Sequence, residues 1–304
     1  MMIQWRDIEY FVVLAEHGHV GRAAEALEIG QPALSISLRR LEKAVDAKLF
    51  KRTPKGVELT AEGRALLAHA RRLQLGRTDM EREISDIARG KTGHLRIGVS
   101  PMTADCLAET YPLLLKDSPG LMLEITDSDN DIMLPALLNG QIDVVLNYLP
   151  PVPFEGTKQE HVYFEHWVVC ASAKHPLTKQ KRVTLQDLTR ERWALSTVNT
   201  LPTNALPRAF SERNLPPPVV VVEARPVRIR LQVVAGSELL TYTSKRIMRE
   251  ATARFHLKEI AVRELTMRRP VGVILRKDAY VPAAVRRLIG ILKSVAHEFE
   301  KQHA

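Results

Sequence analysis

Gly21-Arg22-Ala23-Ala24-Glu25-Ala26-Leu27, Glu28-Ile29-Gly30 and Gln31-Pro32-Ala33-Leu34-Ser35-Ile36-Ser37-Leu38-Arg39-Arg40-Leu41 form the continuous stretch on which the reading of this chain turns. Residues 21–27 make a short helix whose alanines permit close packing, and the next three residues make a tight turn. A second helix opens at Gln31-Pro32, because proline fits the first turn of a helix, where its missing N–H would have had no partner. Two short helices joined by a glycine-containing turn constitute a helix-turn-helix. Upstream, Ile8, Phe11, Val12 and Ala15 recur at helical spacing, and Gly18 supplies a left-handed residue to close that helix.

The second helix of the motif is amphipathic. Leu34, Leu38, Leu41 and Val45 form its apolar stripe. At about 100° per residue, the opposite side carries Pro32, Ile36, Arg39, Arg40 and Lys43, with Gln31 and Ser35 at the leading end. One basic face is as compatible with plain solvation as with DNA. The next residues favour DNA: an extended segment at 49–52, the turn Thr53-Pro54-Lys55-Gly56 and a return strand at 57–59 make a wing. From Arg39 to Arg72 there are ten Lys and Arg against four acids, concentrated where a duplex backbone would lie. Ile36, Arg39 and Arg40 are therefore expected on the DNA side of the helix.

From Phe11 to Gly63 the chain resembles the DNA-binding domain of the LysR-type transcriptional regulators. The resemblance rests on Phe11, Ala15, Gly18, Ala23-Ala24, Leu27, Gln31-Pro32-Ala33-Leu34-Ser35, Leu41-Glu42, Leu49-Phe50, Arg52 and Leu59-Thr60-Ala61-Glu62-Gly63. It implies that Gln31, Pro32 and Ser35 meet DNA at the start of a recognition helix and that Arg52 and Lys55 serve the wing. His19 and Gly21 stand where that family usually has Ser or Thr, so the usual hydroxyl cap and its phosphate contact lack their residues. Ile36 holds a place that is often basic or polar.

Beyond the wing, residues 61–87 contain no proline. Leu66, Ala70, Leu73, Arg77, Met80, Ile84 and Ile87 alternate spacings of four and three, a heptad seam that Arg77 interrupts. A helix about 40 Å long needs a partner along its apolar stripe, either its own domain or a second copy. Leu66, Ala70, Leu73, Met80, Ile84 and Ile87 are the dimerisation residues expected, as the linker helix of the LysR family also implies.

After residue 93 strands alternate with helices: strands at 95–99, 121–126 and 144–149, then 193–195, 219–223 and 239–243, a returning strand at 271–275 and a last helix at 283–300. Such alternation predicts parallel sheets with right-handed crossovers. Leu95-Arg96-Ile97-Gly98, Ile142-Asp143, His175-Pro176-Leu177, Leu185-Gln186-Asp187-Leu188 and Val234-Ala235-Gly236 resemble landmarks of LysR effector domains. The expected fold class is α/β with an N-terminal all-α winged helix-turn-helix (1–60), a long linker helix (61–90) and an effector-binding domain (91–304). That last part divides into two α/β subdomains of periplasmic-binding-protein type, about 95–165 with 268–304, and 166–267.

Ligands of open α/β sheets sit at the carboxyl ends of strands, near helix N-termini that favour anions. That rule selects Ser100, Met102 and Thr103 after the first strand, Ser128 and Asn130 after the second, Asn147 after the third, and Thr197, Asn199 and Thr200 in the second subdomain. Their hydroxyls and amides would orient a small polar or anionic effector; each is equally suited to capping a helix. Arg225 and Arg228 offer charge for a carboxylate or a plain surface role.

The 304 residues are 45% hydrophobic and 26% charged, enough to bury a full core. Lys and Arg exceed Asp and Glu by 44 to 35, a net charge of +9 that favours polyanionic partners. Asp7, Glu9 and Glu16 interrupt the N-terminal apolar pattern, which excludes a signal peptide, and no apolar run has the length of a bilayer span, so a cytoplasmic protein without a membrane partner is expected. Cys106 and Cys170 are too few for a disulfide framework or zinc site and read as buried thiols, with a redox role as the alternative. No phosphate loop, nucleophile elbow or metal spacing is found, so no enzyme, no cofactor and no metal are expected. The function expected is sequence-specific transcriptional regulation through double-stranded DNA, controlled by a small-molecule effector; an enzyme with an appended helix-turn-helix and an architectural DNA-binding protein are the alternatives. The resemblance further implies RNA polymerase as a partner and a homodimer that pairs into a homotetramer.

Overall fold

The computed structural model describes residues 3–89, 93–101, 103–196 and 201–303. They form two compact units that divide between Ile87 and Ala88.

The first unit opens with α1 (Trp5–His17), α2 (Val20–Ala26) and α3 (Gln31–Val45). Gly18, at φ 62°, closes α1 by donating its N–H to the Leu14 carbonyl at 2.9 Å. Where a hydroxyl cap is missing, the His19 ring takes over: its Nδ1 accepts the Gly21 N–H at 3.1 Å. Gly21 leaves room for that ring, since a Cβ there would lie 3.2 Å from it. Pro32 sits in the first turn of α3, and Leu34 and Leu41 are fully buried beneath it. They pack with Phe11, Val12, Leu14, Ala23 and Ala24 into two adjoining clusters.

The wing is the antiparallel pair β1 (Phe50–Thr53) and β2 (Gly56–Leu59), in the register Phe50 to Leu59 and Thr53 to Gly56. Its turn rests on the start of the helix-turn-helix: Val57 donates its N–H to the Gly18 carbonyl at 2.9 Å, and a Cβ on Gly56 would fall 2.2 Å from that same oxygen. At the other end Thr60 joins the wing to α4 (Ala61–Arg89). Its hydroxyl donates to the Lys48 carbonyl at 2.6 Å and accepts the Gly63 N–H at 3.0 Å. A side chain on Gly63 would collide with the Leu49 carbonyl, which explains the glycine in Thr60-Ala61-Glu62-Gly63.

The stripe along α4 is divided between two uses, which corrects the expected seam. Ala70 is buried in the core of its own unit and is not free for a partner, while Leu66 packs against that core and stays partly exposed. Arg77, which interrupts the stripe, has its guanidinium 2.8 Å from Glu9 and from Glu81 and 5.3 Å above the Trp5 ring, clasping α4 to α1. Leu73, Met80, Ile84 and Ile87 remain 53–81% exposed.

The second unit is built on β3 (Gly93–Val99), β4 (Leu121–Asp127), β5 (Val144–Tyr148), β6 (Thr157–Ser172), β9 (Thr241–Ser244), β10 (Leu257–Ile260) and β11 (Met267–Arg276). They form one sheet in the order β10-β6-β11-β5-β3-β4, with β9 also paired to β6. Alternation predicts parallel sheets; only β3, β4 and β5 are parallel here, and the rest of the sheet is antiparallel. The reason is that β6 and β11 run past each other as long strands, 16 and 10 residues, and link two lobes. The first lobe holds β3–β5 with α5 (Ala104–Asp117), α6 (Asn130–Leu138) and α10 (Ala283–His303). The second holds β9 and β10, the parallel pair β7 (Arg192–Leu195) and β8 (Val219–Glu223), and α7 (Leu201–Ser211), α8 (Val227–Ala235) and α9 (Lys245–Phe255). Cys170 is buried on β6, where burial pushes its thiol up to about 12 and suits it to packing. The side chain of Cys106 lies outside the described residues. Among the described residues no helix is long and apolar enough to cross a membrane.

Candidate DNA-binding face and effector cleft

Because the leucines of α3 turn inward, its outer side is fixed by periodicity. Gln31, Pro32, Ile36 and Arg39 are exposed there, Ser35 is half-buried at its margin, and the wing exposes Arg52 and Lys55. Arg40 departs from expectation. Its guanidinium makes a bidentate pair with Asp7, a carboxylate buried at the start of α1, through Nε at 2.8 Å and a second nitrogen on Oδ1. Ser37, buried between them, donates its hydroxyl to the same Asp7 at 2.5 Å. Burial would raise the Asp7 carboxyl, but hydrogen bonds from Arg40 and Ser37 and the Arg40 charge outweigh it and hold it below the usual carboxylate range. Arg40 therefore ties α3 to α1, and its guanidinium is committed to Asp7, which corrects its expected place among the outward contacts of α3. Sequence reasoning passed over Asp7 and Ser37. The available signal was an acid at helical spacing from Phe11 and Leu14, inside an apolar stripe.

The carboxyl ends of β3, β4 and β5 lie side by side, Val99 facing Asp127 on one edge and Leu146 on the other. This brings Ser100, Thr103, Ser128, Asn130 and Asn147 together; Met102, Thr197, Asn199 and Thr200 lie outside the described residues. Asn147 donates its amide to the Asn130 side chain at 2.7 Å. Ser100 is 3.0 Å from the Thr103 hydroxyl, which also donates toward the Leu146 carbonyl at 3.0 Å. Thr103 is 2% exposed and turned into the protein, so its expected ligand role is corrected: it ties the β3–α5 turn to β5.

Among the described residues, ion pairs connect the lobes at two places that were not legible beforehand. Asp129, at the N-terminus of α6, lies 3.0 Å from Arg225, which follows β8 in the other lobe. Glu109 on α5 lies 2.7 Å from Arg246 on α9. Next to Arg246, Glu165 is buried on β6 opposite Arg269 of β11. Burial lifts its carboxyl to about 6, against the opposing pull of the Ser244 hydroxyl and the Arg246 charge. Burial also raises Asp127, with the nearby Asp129 charge adding to it.

The family described as "Bacterial regulatory helix-turn-helix protein, lysR family" matches residues 5–64, and "LysR substrate binding domain" matches residues 88–297. The chain belongs to the LysR family. As a LysR-type protein it is a DNA-binding transcriptional regulator whose second unit is an effector-binding domain. It is 25% identical over 302 residues to the HTH-type transcriptional regulator GbpR of Azospirillum brasilense, covering 97% of this chain and 87% of that one. Its fold is similar to that of a full-length OxyR variant from Pseudomonas aeruginosa, with a TM-score of 0.69, 21% identity and coverage of 98% and 97%. Full-length CbnR, solved in complex with its target DNA, gives a TM-score of 0.63 at 21% identity, with coverage of 96% and 100%. These full-length LysR neighbours share both parts of the fold, the winged helix-turn-helix and the two-lobed α/β domain.

Proposed function

We propose that this LysR-type regulator binds its operator as a homodimer, reading sequence with Gln31, Pro32, Ser35, Ile36 and Arg39 and gripping phosphates with Arg52 and Lys55. The observation that carries this reading is the exposed outer side of α3 beside an exposed basic wing. The dimer forms along Leu73, Met80, Ile84 and Ile87, whose exposure on one stripe of α4 leaves an apolar face for the same stripe of a second copy. Paired this way, two recognition helices address successive turns of DNA. Pairing of dimers into a tetramer and contact with RNA polymerase follow by likeness to the family. So does a cytoplasmic, non-catalytic role, since the relatives are named as transcriptional regulators.

The effector is a small polar molecule held by Ser100, Ser128, Asn130 and Asn147. A carboxylate on it would compete with Asp129 for Arg225. DNA binding by the full chain over a range of salt tests the first half of this reading: a steep loss of affinity with salt and a recovered consensus support it, and salt-independent binding overturns it. A thermal-shift screen of small metabolites tests the second, because only a protein with a ligand site gains stability from one compound.

A further inference from the structure

We infer that Ile36 reads the methyl group of a thymine in the major groove, a contact that rests on the reading of α3 as the recognition helix. Ile36 is 55% exposed although it lies on a well-packed helix whose leucines are buried. One turn earlier, Pro32 and Ala33 are also exposed. One turn later, Arg40 is withdrawn onto Asp7. Arg39 leans back on its own helix, its Nε donating to the Ser35 carbonyl at 3.3 Å. The centre of the outer face therefore presents hydrocarbon where a hydrogen-bonding side chain would be placed to read a purine.

That composition selects a partner. Pressed against a base-edge donor or acceptor, an isoleucine would strip its water and return no hydrogen bond. The apolar group that a base edge offers in the major groove is the C5-methyl of thymine. Cytosine, which lacks it, would leave a gap beside the side chain. Burying one methyl against Ile36 corresponds to roughly a three- to tenfold preference in affinity.

The test replaces thymines by deoxyuridine, which deletes the methyl and leaves base pairing intact. A consensus is first selected from random duplexes with the full-length protein. Each thymine is then replaced singly, and affinities are measured for the parent, Ile36→Ala and Ile36→Val. The expected result is one thymine, repeated in each half of a symmetric site, whose replacement weakens the parent roughly three- to tenfold, weakens Ile36→Val less, and leaves Ile36→Ala unaffected. Melting temperature and salt slope should match among the three proteins, because Ile36 supports neither the core nor a phosphate contact. A consensus whose thymines are all replaceable, or a sensitivity that persists in Ile36→Ala, overturns the inference alone. Failure to select any consensus overturns the recognition-helix reading together with it.

Discussion

Asp7 shows how one buried residue decides what its neighbours can do. Without it, Arg40 would extend from α3 as a second base or phosphate contact; with it, the guanidinium is a strut between α1 and α3. Asp7→Asn removes the charge and leaves Ser37 and Arg40 with a weaker acceptor, at a cost of about 1–3 kcal/mol in urea unfolding at neutral pH. Since the folded carboxyl is held below its ordinary value, this stabilisation is full above about pH 4 and is lost as pH falls through the lowered value, so the two proteins should converge in acid. Equal stability at pH 7 would remove the strut. Arg40→Ala should lower the melting temperature and keep the salt slope of DNA binding. Arg52→Ala should do the reverse, reducing that slope by about 1 and leaving the melt alone. The strut was hidden from the sequence because its two ends are 33 residues apart. Periodicity locates a face and does not reveal a distant counter-ion.

At the scale of elements, α4 carries one apolar period and puts it to two uses. Its first turns complete the core of the DNA-binding unit through Leu66 and Ala70, and its later turns present Leu73, Met80, Ile84 and Ile87 outward. On the proposed pairing of two copies along this stripe, Ile84→Glu should reduce self-association in sedimentation experiments with little change in the melting of the DNA-binding unit. Arg77→Ala should loosen that unit and spare self-association; a weaker dimer from Arg77→Ala would place the clasp in the wrong interface. The heptad made the helix legible, but residues on one stripe are equivalent until the neighbouring fold is known. The helix-turn-helix and wing were legible for a different reason: Gly18, Gly30, Pro32 and Gly56 mark their ends locally. By contrast β6 and α9 were missed. The first half of β6, Thr157–Phe164, is polar and partly exposed, and α9 is rich in charge, so neither stands out as a core element.

For the molecule as a whole, the regulatory part is a pair of lobes joined by two long strands and bridged by charges. Glu165 sits where β6 passes between them. Its folded value, raised from 4.5 to about 6, means that the folded protein prefers it protonated; that preference stabilises the fold at pH below 4.5 and is lost as pH rises through 6. Glu165→Gln imitates the protonated form, so it should match the parent near pH 4.5 and exceed it by about 2 kcal/mol above pH 7. Parallel pH profiles of the two melts would exclude this. Among the cleft residues, those at strand ends were legible from topology, while the Asp129–Arg225 bridge depends on how the lobes close. The Thr60 junction has a mechanical consequence. Since its hydroxyl grips both Lys48 and Gly63, and Gly63 leaves no slack against the Leu49 carbonyl, the wing and α4 turn as one stiff arm. On an arm about 40 Å long, a tilt of about 5° at one end carries the other about 3.5 Å, close to the rise along the duplex axis of about 3.4 Å per nucleotide of one strand. Rigid coupling of this kind would turn a small tilt of α4 into a displacement of the wing as large as one nucleotide step.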